Sequence, residues 1–105
     1  MRVTATHRAE AQLRKRGEWW RENRNKAPDL FDREFAEAIE RLGRIASSLP
    51  IYSRPRGHIV RRYLMPKTRC HLYVEVIEAV GEVLILAASG GQRRRPPRLR
   101  LQDAP

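Results

Sequence analysis

Cys70-His71-Leu72-Tyr73-Val74-Glu75-Val76-Ile77, then Glu78-Ala79-Val80-Gly81-Glu82, then Val83-Leu84-Ile85-Leu86-Ala87-Ala88 is the stretch that decides the fold. In its first part Leu72, Val74 and Val76 alternate with His71, Tyr73 and Glu75, the two-residue period of a strand with unlike faces. The middle part is a short hairpin connection. The last part is apolar on both faces, as in a strand with a neighbour on each side, and Ser89-Gly90-Gly91 ends it. Upstream, Ile59 to Met65 reads as a further strand, turned by Pro66-Lys67-Thr68. Residues 59–88 are therefore expected to form an antiparallel meander.

Working outward toward the N-terminus, residues 50–58 (Pro-Ile-Tyr-Ser-Arg-Pro-Arg-Gly-His) hold two prolines and a glycine and read as a loop. Before them, Phe31, Phe35, Ala38, Ile39, Leu42, Ile45, Ala46 and Leu49 keep a helical period, and Pro50 closes the helix. Pro28 suits the first turn of that helix, where its missing N–H costs nothing. Asp29, Asp32 and Glu34 follow in the turns where the helix dipole favours negative charge, and Glu37 with Arg41 forms a pair on the exposed side. An earlier helix runs from about Arg8 to Arg24. Ala9, Leu13 and Trp20 share its apolar face, and Trp19, about 100° round, widens it. Residues 2–6 are a short edge strand. The predicted class is α+β: an N-terminal helical hairpin packed on a small, mainly antiparallel curved sheet, in the order β-α-α-β-β-β.

The chain has 105 residues and a formal net charge of +10. This length suits one domain with a modest core, expected over residues 1–92, followed by a basic, proline-containing tail over residues 93–105. The charge is uneven. Residues 1–51 carry 11 basic against 8 acidic side chains, whereas residues 52–105 carry 11 against 4. That balance favours an anionic partner, either nucleic acid or an acidic polypeptide. Cys70 is the single cysteine, which rules out an internal disulfide and a cysteine-rich zinc site. Neither a metal nor any other cofactor is expected. The charges of the first 16 residues interrupt any secretory apolar segment. The longest aliphatic run, residues 83–88, is far below the roughly 20 residues that span a bilayer. The expected location is cytoplasmic.

Candidate anion contacts are Arg61, Arg62, Arg69, Arg93, Arg94 and Arg95. Strand alternation sends Arg61 and Arg62 to opposite faces. One of them must lie at the margin of the core and needs a carbonyl or carboxylate partner. Cys70 and His71 point apart on their strand and form no dyad. Cys70 reads as a small buried hydrophobe, and His71 either packs or carries a proton near neutral pH. Gly90-Gly91 lacks the lysine and hydroxyl of a phosphate-cradling loop. Pro96-Pro97 stiffens the tail in extended form. The tail contains no aromatic residue on which a base could stack.

Taken together, these segments resemble the RelE/ParE superfamily of toxins from bacterial type II toxin–antitoxin modules, and more closely its ParE branch. The resemblance runs from about Ala5 to Leu99. It is carried by Trp19-Trp20-Arg21-Glu22-Asn23-Arg24, Ala27-Pro28-Asp29-Leu30-Phe31, and Glu34-Phe35 with the helix through Leu42. It continues through the Pro50 loop, Val60-Arg61-Arg62-Tyr63-Leu64, Thr68-Arg69-Cys70-His71-Leu72-Tyr73, Val83-Leu84-Ile85-Leu86-Ala87, and Gly91-Gln92-Arg93 to Pro96. It implies a helical hairpin on a curved antiparallel sheet, a growth-inhibiting or plasmid-stabilising role, and a cognate antitoxin that wraps the toxin. The target it implies is DNA gyrase (ParE-like), poisoned by binding, or the ribosome (RelE-like), where mRNA is cleaved; a third alternative is a relative of the same fold that has lost toxicity and only binds a partner. In the nuclease case Arg62, His71 and Arg93 fall near basic catalytic positions. Residues 96–105 contain no Tyr or His, so the tail acid–base group common among those nucleases is missing, which favours gyrase. The antitoxin is expected to be acidic and amphipathic, covering strand positions such as Tyr63 and Tyr73.

Overall fold

In a computed structural model describing residues 1–90, five strands form one sheet with two helices packed on it. The strands are β1 (Arg2–Ala5), β2 (Ile51–Ser53), β3 (Val60–Met65), β4 (Cys70–Ile77) and β5 (Glu82–Gly90), and the helices are α1 (His7–Asn23) and α2 (Leu30–Ile45). The spatial order is β1-β5-β4-β3-β2. β1 pairs with β5 in parallel, and every other pairing is antiparallel. The α+β class and the helical hairpin expected from the sequence are therefore what the chain forms. Tail residues Arg93, Arg94 and Arg95 lie outside the described residues.

The β1–α1 corner is built by Thr6. Its backbone N–H donates to Ile85 O at 3.0 Å, and its Oγ1 accepts from Ala9 N at 3.0 Å while donating to Leu86 O at 3.2 Å. One fully buried hydroxyl thus caps the helix and pins its start to the strand beneath. Ala9, Leu13 and Gly17 are the buried residues of α1. Trp20 packs partly against the core, whereas Trp19 is 38 % exposed and stands outside the face assigned to it by sequence.

In α2 the buried positions are Phe31, Glu34, Ala38 and Leu42, with Phe35 and Ile39 half-buried beside them. Pro28 sits in the turn before the helix instead of its first turn, because Leu30 N–H closes on Ala27 O at 3.2 Å and Asp29 takes the cap position. The α-helix stops at Ile45, where φ of −120° breaks the helical path and a 3-10 turn over Ala46–Ser48 takes over. Ile45 is consequently 39 % exposed, not part of the apolar stripe.

Two departures in the sheet have local causes. Residues 51–53, read as loop, form the edge strand β2, a short segment between Pro50 and Pro55 at an edge that tolerates such neighbours. In β5 the register shifts between Tyr73↔Ala87 and Val74↔Ile85, so Leu86 is an extra residue in a β-bulge. The bulge turns Leu86 and Ala87 to the same side. There they join Val60, Tyr73 and Leu84 in a second apolar cluster on the face away from the helices. β5 also runs on through Gly90. Its interior place, next to β4 and β1, accounts for its apolar composition on both faces.

Candidate anion-binding surface

Arg61 and Arg62 separate as strand alternation requires. Arg61 lies on the helix side, where its Nη1 donates to Leu49 O at 2.6 Å, the carbonyl partner that a core-margin guanidinium needs. That bond engages one of the five N–H donors of Arg61, which also lines a cleft. Arg62 is exposed on the other face, and its guanidinium lies 4.9 Å from the centre of the Tyr52 ring.

Opposite Arg62 stands Tyr73, and opposite Leu64 stands His71. Ser89 pairs with His71 from β5. Arg62, His71, Tyr73 and Ser89 therefore share the sheet face away from the helices, joined by Tyr52, whose ring meets Tyr73 edge-on at 4.9 Å. Ser89 Oγ donates to Tyr73 Oη at 3.5 Å. Tyr73 is only 2 % exposed. It belongs to the second core cluster and is no landing point for a partner, contrary to the sequence-based expectation. Tyr63, half-buried, packs against the helix-side core.

On this face His71 and Tyr52 are both shifted toward their neutral forms. Partial burial lowers the His71 pKa below its ordinary value, and the charges of Arg62 and Arg69 lower it further. His71 is thus an uncharged imidazole at neutral pH. Burial chiefly raises Tyr52, helped by Tyr73 and opposed by Arg62. Cys70 is fully buried, and burial pushes its thiol up to about 11, despite the nearby Arg16 charge. It is chemically inert at neutrality.

The third arginine of this region, Arg69, sits at φ +61° in the β3–β4 turn, a left-handed backbone uncommon for a residue other than glycine. The turn is held by Glu34, which sequence reasoning assigned to the helix dipole. Its buried carboxylate accepts Lys67 N–H at 2.7 Å, Thr68 N–H at 2.8 Å and Thr68 Oγ1–H at 2.6 Å. Three charge-assisted hydrogen bonds fix the turn from beneath and leave the Lys67 and Arg69 side chains outside. No sequence period marks this device, because it links residues 34 apart.

At the far end of the sheet His58 Nδ1 lies 2.6 Å from Glu75 Oε2, an imidazole–carboxylate pair in a stretch read as loop. Its cleft of about 520 Å³ also holds Arg61, which is already bonded to Leu49 O. Among the described residues no group of three or more His, Cys, Asp or Glu side chains converges as a metal site. No helix there is long and apolar enough to cross a membrane. No protein-family model matches the chain, and neither a curated protein nor a solved structure matches it.

Proposed function

We propose that this chain is the toxin component of a type II toxin–antitoxin module, that it acts by stoichiometric binding to DNA gyrase, and that an acidic, amphipathic antitoxin neutralises it. Support for the toxin reading comes from the order and spacing of the segments that resemble the RelE/ParE superfamily, and from the helical hairpin on a mainly antiparallel sheet that this resemblance implies. The observation that carries the gyrase mechanism concerns His71. Proton transfer during RNA cleavage needs one group to take a proton and another to give one. His71 is suited to the first role, yet among the described residues no side chain is hydrogen-bonded to its ring, and the Tyr52 hydroxyl is made less acidic by burial. A protein that works by binding needs no such pair.

A specific observation favours the nuclease as second reading. A neutral imidazole flanked by Arg62 and Arg69 could accept a 2′-hydroxyl proton while the guanidiniums face the phosphate. The antitoxin's apolar side would meet the exposed Ile51, Ile59 and Leu64, and its acidic side would meet the surrounding arginines. Purified full-length chain, added separately to a gyrase supercoiling assay and to translating ribosomes, tests the mechanism. Inhibited supercoiling with intact mRNA is the expected result. Cleaved mRNA with unaffected gyrase overturns it.

A further inference from the structure

A cleft of about 1130 Å³ separates the C-terminal half of α1 from the β3–β4 turn and the end of β5. It shares Arg69 and Ser89 with the surface described above, but half of its lining residues come from α1, which that surface does not include. Its lining includes Lys15, Arg16, Arg24, Lys67 and Arg69. Against these five cations stand the carboxylates of Glu18 and Glu22, so the cleft is net positive.

Flat groups are layered along one wall. Trp19 and Trp20 meet edge-on at 5.9 Å. The Arg24 guanidinium lies 5.0 Å from the Trp19 ring centre and 5.6 Å from that of Trp20, and Arg16 lies 5.2 Å from Trp19. Trp19 nevertheless keeps 38 % of its surface exposed. Trp20 Nε1 and Arg16 Nε are buried beneath this wall, so the contact surface is formed by the ring faces and the outer guanidinium groups. The opposite wall is the turn braced by Glu34, from which Lys67 and Arg69 project. A cationic groove with planar groups on one side and fixed positive charges on the other matches single-stranded nucleic acid, whose bases stack on aromatic and guanidinium planes while its phosphates meet the cations.

We propose that this cleft binds single-stranded nucleic acid, bases against the Trp19–Arg24 layer and phosphates toward Lys67 and Arg69. The chain's own tail is a poor occupant, since residues 93–100 carry five arginines and no acidic side chain. An acidic polypeptide is the weaker fit, because the planar groups offer stacking surfaces rather than an apolar pocket for side chains. Binding of this kind requires neither toxicity nor gyrase, and it stands or falls apart from the function proposed above.

Trp19 and Trp20 are the chain's two tryptophans, so intrinsic fluorescence reports on the cleft directly. Titration of the full chain with a short oligothymidylate should quench that emission, with affinity falling as salt rises. Trp19→Leu should weaken binding about five- to 150-fold, the range of one stacking interaction. Lys67→Gln combined with Arg69→Asn, which suits the left-handed backbone, should make the slope of log affinity against log salt shallower by about 0.7 for each phosphate no longer neutralised. Arg24→Gln, at the exposed C-terminal end of α1, gives a further variant with little demand on folding, and circular dichroism verifies each fold. Absence of quenching overturns the proposal. So does binding that all three variants retain at wild-type strength, which assigns it to the tail alone. Equal quenching by poly-glutamate at matched charge also overturns it and makes the cleft a site for acidic polypeptide.

Discussion

Glu34 accepts hydrogen bonds from both the backbone N–H and the hydroxyl of Thr68, at 2.8 and 2.6 Å, with both residues at most 5 % exposed. This contact joins the one acidic residue on the buried face of α2 to the turn that carries Lys67 and Arg69. A hydrophobic residue at position 34 would satisfy the helix period equally well. It would leave three donors of the turn without acceptors.

Glu34→Ala should therefore destabilise the fold by roughly 3–5 kcal/mol, the scale for removing one partner from a buried charged hydrogen-bonded set. Thr68→Val removes one of the three bonds while keeping the side-chain shape. It should cost less, about 1–2 kcal/mol. Chemical denaturation of both variants measures the difference. Equal costs would show that the carboxylate is not the brace described.

The packing of α2 gives a second ranking. Phe31 is 3 % exposed, and the half-buried Phe35 stacks on it at 6.4 Å between ring centres. Phe31→Ala should cost about 3–5 kcal/mol. Phe35→Ala should cost less, because part of its ring already faces water. A larger loss at Phe35 would mean that the helix presents a different face to the sheet.

Gly43 meets a steric limit. A Cβ there would fall 2.7 Å from the Met1 backbone oxygen, a clash with main chain that cannot rotate away. Although alanine is the better helix former, Gly43→Ala should destabilise the fold by roughly 1–3 kcal/mol, the usual cost of overpacking. A stabilised variant in thermal unfolding would contradict this close approach of the N-terminal strand to α2.

The lowered pKa of His71 has a definite sign in stability. In the unfolded chain this histidine binds its proton more readily than in the folded one. Between the folded pKa and the unfolded value near 6.5 the unfolded state holds more protons, so stability rises with pH. The contribution is complete above the unfolded pKa and is lost as pH falls through the window below it. His71→Gln should flatten this part of the stability–pH profile, as measured by denaturation at a series of pH values between about 5 and 8. An unchanged slope would remove His71 from its place beside Arg62 and Arg69.

Much of the fold was legible because it rests on periodic signals. The 3.6-residue spacing in α2, the alternation in β4 and the two-sided apolar run of β5 each specify burial locally. What escaped depends on a single residue or on distant pairing. The three-residue strand β2 has too little sequence to show a period, and Glu34 looks like an ordinary acidic residue of a first turn. Tyr73 lies on the polar-looking side of its strand, yet the bulge at Leu86 brings a second apolar cluster over that side. The cleft wall was missed for a related reason. The basic tail itself holds no aromatic residue, whereas Trp19 and Trp20 come from a helix some 70 positions earlier.

The two toxic mechanisms diverge most sharply in one pair of variants. Under the gyrase reading His71 contributes a neutral ring on a binding face, and its truncation removes little surface. His71→Ala should then leave growth inhibition largely intact at matched soluble expression. Replacement of Arg93, Arg94 and Arg95 together by glutamine removes three of the chain's 22 basic side chains from the segment richest in them, and should weaken inhibition by slowing capture of an anionic target. Under the nuclease reading the order reverses, because loss of a general base costs about 10²–10⁴-fold in rate, while a dispersed reduction of charge mainly affects association. Induction of both variants in one host, with growth, supercoiling and mRNA integrity followed in parallel, measures the order directly. Toxicity and ribosome-dependent cleavage that vanish together in His71→Ala would replace gyrase binding with RNA hydrolysis as the function of this face.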